Sequence, residues 1–324
     1  MLQYKKLRQA GFAEKHFVVN DVHLNHLRGP KNGPPLLLFP GQSQPWQSYS
    51  RVLLKLAQDF EVIAFDIHGH GKSSFVPDRY SYQAIGEDLA QFLRSELDRP
   101  AIVSGNSSGG VIALWLGSHV PEMVSGLLLE DPPLFSSEWP RIKDCYVYQL
   151  LQHAVSHLAD QRDLPKFFKD LKIPVESGSR AVTAAASPLL KFVAGYVRLM
   201  QKRHPQKREV DLPLMPFVLR MMVRGFSSYD AEFSRPFLDG RFGKNFDHGE
   251  ALSLLSCPVL LLRAVWFENE KYGLVGAMNN ADMAKVRAQV NDLQVIELDS
   301  GHVIHQEKPA LFTQYLIDFK DKFS

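Results

Sequence analysis

Gly105-Asn106-Ser107-Ser108-Gly109 stands between the apolar run Pro100-Ala-Ile-Val-Ser104 and the stretch Gly110-Val-Ile-Ala-Leu-Trp-Leu-Gly117. The first flank reads as a short buried strand and the second as a helix, so the pentapeptide falls on a strand-to-helix turn. In such an elbow the flanking glycines relieve crowding around a serine held in a strained conformation. Its hydroxyl projects from the end of the sheet, and the helix that follows offers unpaired N–H groups. Ser107 is therefore the candidate nucleophile for attack on a carbonyl. The string alone is weak; the strand and helix on either side give it weight.

Outward from the elbow, strand and helix patterns alternate. Residues 16–28 alternate around the turn-like Asn20-Asp21, as an antiparallel hairpin at a sheet edge does. Residues 35–39 and 61–66 are short apolar strand runs, separated by helical spacing at Val52, Leu53, Leu56 and Phe60. A helix is expected over 82–97, with Ile85, Leu89 and Phe92 on one face, and a strand over 124–129 beyond the elbow helix. This order implies an α/β protein with a mostly parallel, doubly wound sheet covered on both faces. Between residues 132 and 250 the rhythm stops and helical patterns take over, at 146–158, 188–202 and 214–222, which defines an inserted helical cap. The rhythm resumes with a strand at 257–263, a helix at 282–290, a strand at 293–298 and a terminal helix. That helix buries Phe312, Tyr315, Leu316, Phe319 and Phe323. The expected organisation is one core, residues 1–131 and 251–324, carrying a cap at 132–250.

Bulk properties narrow the partners. The chain has 324 residues, 45% hydrophobic and 22% charged, with a formal net charge of +2, which gives no electrostatic case for nucleic acid. The densest basic run, residues 201–208, reads as a solvated helix end. Cys145 and Cys257 match no metal spacing and are expected to be reduced. No apolar signal region or membrane span stands out, so a cytoplasmic location and no membrane partner are expected.

A serine hydroxyl needs a base to take its proton, and the base needs an acid to fix its tautomer. Of the twelve histidines, His302 follows the last core strand in Ser300-Gly-His302, where the glycine frees the loop to turn the imidazole over the strand ends. His302 is the candidate base, and His305 is expected to stand behind it.

Pro40-Gly41 after a strand, Asp66-Ile-His-Gly-His-Gly-Lys-Ser73, the elbow and Ser300-Gly-His302 together resemble the α/β-hydrolase fold superfamily, in that order. The resemblance covers nearly the whole chain outside the cap. It is specific for the fold and much less so for the substrate. It implies an oxyanion hole from the backbone N–H groups of Gln42 and Ser108, with the Asp66 to Ser73 segment a supporting loop. The family's usual His-Gly is Pro40-Gly41 here. For the acid, the usual position follows the strand ending near Leu262, but the sequence there is Arg263-Ala-Val-Trp-Phe-Glu-Asn-Glu270. Glu268 and Glu270 are the nearby carboxylates. Some members, including those resembling fungal zearalenone lactonases, take the acid from the preceding strand end, where this chain has Asp131. Asp131 and Glu268 both stay open, with Asp131 favoured.

The cap is expected to supply an apolar pocket. Phe167, Phe168, Phe192, Tyr196, Met200, Met215, Phe217, Met221 and Met222 are candidates to line it, although each suits helix packing better. Gln44 and Trp46 are positioned to meet substrate. His153 and His157 share a helix face, but no third ligand accompanies them, so neither metal nor cofactor is expected. The expected partner is a small apolar ester or lactone of medium size, cleaved through an acyl-enzyme. Carbon–carbon hydrolysis, lyase or acyl-transfer chemistry and a hydrolase-like small-ligand receptor are the alternatives, because elbow and base do not specify the bond broken. An aspartate nucleophile, required for dehalogenation or epoxide hydrolysis in this fold, is absent.

Overall fold

A computed structural model describes residues 2–174 and 188–322. Among the described residues ten strands are present: β1 Ala13–Val19, β2 Val22–Arg28, β3 Pro35–Phe39, β4 Glu61–Phe65, β5 Ala101–Asn106, β6 Val124–Glu130, β7 Val259–Arg263, β8 Phe267–Asn269, β9 Gly273–Val275 and β10 Leu293–Glu297. Eight form one sheet in the order β1-β2-β4-β3-β5-β6-β7-β10, and β8 and β9 form a separate small hairpin. β1 and β2 are antiparallel, joined by Asn20 and Asp21 at φ 47° and 61°, and β2 runs antiparallel to β4. Positive φ at both turn residues matches the twist of a tight hairpin, which is why Asn-Asp serves there. From β4 to β10 the strands are parallel.

The central strands β3, β4, β5 and β7 are buried along their whole length. Two apolar clusters cover the sheet. One gathers Phe65, Phe92, Leu93, Trp115 and Leu127, and the other Leu38, Tyr49, Phe60, Leu128 and Phe312. The chain passes from β3 to β4 on one side and then crosses to β5 and β6 on the other, so strand order reverses between β3 and β5, and the strand ends there form the crevice in which such sheets place ligands. The stretch expected to be helical over 49–60 is a 3₁₀ turn, Trp46–Arg51, followed by one short helix, Leu53–Leu56. The terminal helix Pro309–Asp321 buries Phe312, Leu316 and Phe319, whereas Phe323 lies outside the described residues.

Between β6 and β7 the described elements are all helical, and they divide by packing. The helices Leu164–Asp170, Pro188–Arg203 and Phe217–Ser227 share a core of their own, with Phe167, Phe168, Val193, Val197 and Val223 fully buried. Phe233, Phe237, Phe242 and Phe246 instead join the sheet's cluster. Among the described residues no helix is long and apolar enough to cross a membrane.

Candidate active site

Ser107 has φ 54° and ψ −126°, between the last residue of β5 and the helix Ser108–His119. A non-glycine residue in this region is strained, and the surroundings hold it there: the Ser107 N–H donates to the Glu130 carbonyl on β6 at 2.9 Å. The elbow's glycines serve close approach. A Cβ on Gly105 would stand 2.1 Å from the Gly109 carbonyl oxygen, and one on Gly109 would stand 2.3 Å from that of Phe39. Only bare backbone lets the helix pack this tightly against β3 and β5.

Asp131 follows β6 directly and is buried, at φ 44°. Its Oδ2 lies 2.6 Å from His302 Nδ1, and its Oδ1 accepts the Ala264 N–H at 3.0 Å. Its own N–H donates to the Leu262 carbonyl at 2.7 Å. The end of β7, where the resemblance led us to look for an acid, thus supplies a backbone donor that holds Asp131. Glu268 sits at an exposed position of the β8–β9 hairpin. With Nδ1–H directed at Asp131, Nε2 is the nitrogen left to accept a proton. Burial pushes the imidazole down. The Asp131 hydrogen bond and charge, with Glu130 and Glu307 farther off, together outweigh that and hold His302 above the ordinary histidine value.

Behind this half-exposed pair stands a fully buried one. His305 Nδ1 lies 2.9 and 2.8 Å from the two Glu130 oxygens, and its backbone N–H donates to Glu130 at 2.9 Å. Its ring stacks on Tyr49 at 3.9 Å. Asn106 Nδ2 donates to the His302 carbonyl at 2.9 Å. The Ser107 turn, Asp131 and the His302 loop are therefore joined at the ends of β5 and β6.

The loop after β3 is pinned to the segment 66–74. The Ser43 N–H donates to His70 Nε2 at 2.9 Å, and His70 Nδ1–H donates to the His68 carbonyl at 2.8 Å. Burial pushes His70 down to about 4, so it stays a neutral acceptor. Asp66 accepts from Trp46 N–H at 2.7 Å, Lys72 N–H at 3.0 Å and Asn25 Nδ2 at 2.7 Å, and burial lifts its carboxyl to about 6. Gly41 presses against the elbow, since a Cβ there would stand 3.0 Å from Ser107 Cβ. Gln42 follows Gly41, and Ser108 opens the elbow helix with the free N–H groups of a helix start.

Ser107 and His302 face one cavity of about 160 Å³, bordered also by Gly41, Gln42, Gln44 and Asn106. Its cap wall is Val147, Leu150, Leu151 and Ala154, at i, i+3, i+4 and i+7 of the helix Tyr146–Ala154, with Phe226, Tyr229 and Ser234 completing it. None of the nine cap residues that were candidates for a pocket lining borders this cavity. Phe167 and Phe168 are fully buried in the cap's core, and Phe192 is 60% exposed. Trp46 also turns away: it is fully buried, and its indole donates to Glu14 at 3.3 Å. His153 Nε2–H donates to the Phe167 carbonyl at 2.9 Å, and His157 pairs with Asp170 at 3.4 Å. Among the described residues no group of three or more His, Cys, Asp or Glu is placed to hold a metal ion.

A model of the alpha/beta hydrolase family matches residues 36–314, and the chain belongs to that family. It is 28% identical over 176 residues to the human serine hydrolase-like protein, which covers 53% of this chain and 86% of that one. Among solved structures it is similar to a carboxylesterase from Bacillus subtilis, with TM-score 0.65, 20% identity, and coverage of 98% of this chain and 96% of the other. The enol-lactonase from Burkholderia xenovorans gives TM-score 0.64 at 16% identity, with coverage of 95% and 100%. These two likenesses are of fold. Family and fold make the chain an alpha/beta hydrolase.

Proposed function

We propose that the protein is a cofactor-free serine hydrolase of small carboxylic esters or lactones. The observation that carries the reading is the Asp131–His302 contact at the rim of the cavity that Ser107 faces. His302 Nε2 takes the Ser107 Oγ proton as Oγ attacks the substrate carbonyl carbon. The oxyanion that forms is met by the Gln42 and Ser108 N–H groups, and the imidazolium then protonates the leaving alcohol. Water, deprotonated by the same nitrogen, attacks the acyl-enzyme; the acid leaves and Ser107 regains its proton.

Cavity size sets the substrate. A void near 150 Å³ holds about one benzene, so the space beside Ser107 suits a short acyl group rather than the medium-sized one expected from sequence. The test is turnover of 4-nitrophenyl esters from acetate to decanoate by wild type and Ser107→Ala. Rates peaking at short chains and falling about 10⁴-fold or more in the variant support the reading. Full activity in Ser107→Ala contradicts it.

A further inference from the structure

The cavity is apolar where the helix Tyr146–Ala154 lines it, but its lining also carries a polar cluster that the steps above do not use. Gln42 Nε2 lies 2.5 Å from the Tyr229 hydroxyl and 3.3 Å from Ser234 Oγ, and the two hydroxyls lie 2.7 Å apart. Tyr229 is 5% exposed and Ser234 fully buried, so the cluster is a built feature of the cavity. The cap presses on the loop that carries Gln42: a Cβ on Gly225 would stand 1.8 Å from the Ser43 carbonyl oxygen. Neighbouring polar groups are engaged elsewhere, Asn106 Nδ2 with His302 and Glu130, and Gln44 Oε1 with Gln306.

Counting hydrogens shows what the cluster lacks. Two hydroxyls bring two hydrogens, and a single O–H···O contact between them uses one. Among the described residues the other meets no acceptor. Turning the Gln42 amide over gives that hydrogen to Oε1 and leaves the amide NH₂ unused instead. In either arrangement at least one donor hydrogen has no acceptor among the described residues, and an oxygen of a bound ligand would take it.

We infer that the substrate carries a second oxygen acceptor besides its scissile carbonyl, an ether, keto or ring oxygen on a short chain, and that the Tyr229–Ser234–Gln42 cluster binds it. This specificity rests on the ester or lactone reading of the same cavity. A site built to hydrogen-bond a substrate group discriminates against the analogue that lacks it.

The experiment compares two near-isosteric substrates, 4-nitrophenyl methoxyacetate and 4-nitrophenyl butyrate, on wild type, Tyr229→Phe and Ser234→Ala. Methoxyacetate is the more reactive ester intrinsically, so the readout is the change in the ratio of the two kcat/KM values between proteins. The ratio is expected to fall about three- to tenfold in each variant. An unchanged ratio, with both substrates slowed equally, overturns the inference and leaves the hydrolase reading standing. Tyr229→Phe keeps the ring among Phe226, Phe233 and His70, and Ser234→Ala provides a second, smaller change if it folds poorly. Should wild type turn over neither ester, ligand-observed NMR of methyl methoxyacetate against methyl butyrate on Ser107→Ala protein decides. A preference for the methoxy ligand that Tyr229→Phe removes supports the cluster's role, and equal binding of both overturns it.

Discussion

Asp131 Oδ2 and His302 Nδ1 meet at 2.6 Å across 171 positions of sequence, and the carboxylate that makes this contact is itself held by the Ala264 N–H at the end of the neighbouring strand. Asp131 follows β6, while the end of β7 contributes backbone groups to it. On this arrangement Asp131→Asn leaves the fold intact but presents an amide that favours the wrong tautomer of His302. Its kcat is expected to fall about 10³- to 10⁴-fold, whereas Glu268→Gln stays within about twofold of wild type. Steady-state kinetics on a short ester checks both, and a larger loss in Glu268→Gln would place the acid on the hairpin.

The pH profile follows from the same contact. The base must be neutral, and His302 is held above the usual 6.5, so kcat/KM should rise with pH through a value higher than that. In Asp131→Asn the residual activity should titrate at lower pH, because the hydrogen bond and charge that do most to raise His302 are lost. The pairing also stabilises the fold below about 6.5, and that contribution is lost as pH rises through the folded value. A profile of kcat/KM between pH 5 and 9 on both proteins reads the shift.

Three other histidines have the opposite sign. Burial pushes His26, His70 and His248 each down to about 4. Unfolding restores their ordinary value of 6.5, so the unfolded chain binds more protons in that interval and stability falls as pH drops from 6.5 toward 4. Urea midpoints at pH 7.0 and 5.0 should show the protein markedly weaker at the lower pH. Equal midpoints would mean these rings gain protons without unfolding.

His70 holds the loop that carries Gln42, through the Ser43 N–H. His70→Ala removes that acceptor and loosens one donor to the oxyanion. The expected signature is a fall in kcat of about 10- to 100-fold with KM little changed, read by steady-state kinetics beside a thermal melt. A change in KM alone would assign the residue to ground-state binding.

Gly109→Ala tests the elbow's packing. The added Cβ would stand 2.3 Å from the Phe39 carbonyl oxygen, backbone that cannot swing aside, so the loss is expected to be about 3 kcal/mol, measured by urea denaturation. A near-neutral effect would show that the helix can retreat from β3.

The parts of this molecule governed by local pattern were readable from the chain. Alternation around Asn20-Asp21 gave the hairpin, and apolar runs gave β3 to β7. The elbow and His302 stood out because glycine and position marked them. Asp131 against Glu268 was not resolvable, since the choice depends on how β6 and β7 are registered, with Asp131 N–H on the Leu262 carbonyl. The cavity wall could not be picked out by side-chain size, because bulk signals burial, and here Phe167 and Phe168 fill the cap's own core, the packing role that their sequence favours. The stripe Val147, Leu150, Leu151, Ala154 carried the usable signal. Tyr229 and Ser234 had none, as their place on the wall comes from the cap's docking against the loop after β3. The hairpin of β8 and β9 was missed because its strands are only three residues long.

The most direct test of the central claim is covalent labelling with a fluorophosphonate, located by mass spectrometry, on wild type, Ser107→Ala, His302→Ala, Asp131→Asn and Glu268→Gln. A single label is expected on Ser107, absent from Ser107→Ala, strongly slowed in His302→Ala and Asp131→Asn, and unchanged in Glu268→Gln. No label on Ser107, or labelling at full rate without His302 or Asp131, would contradict it.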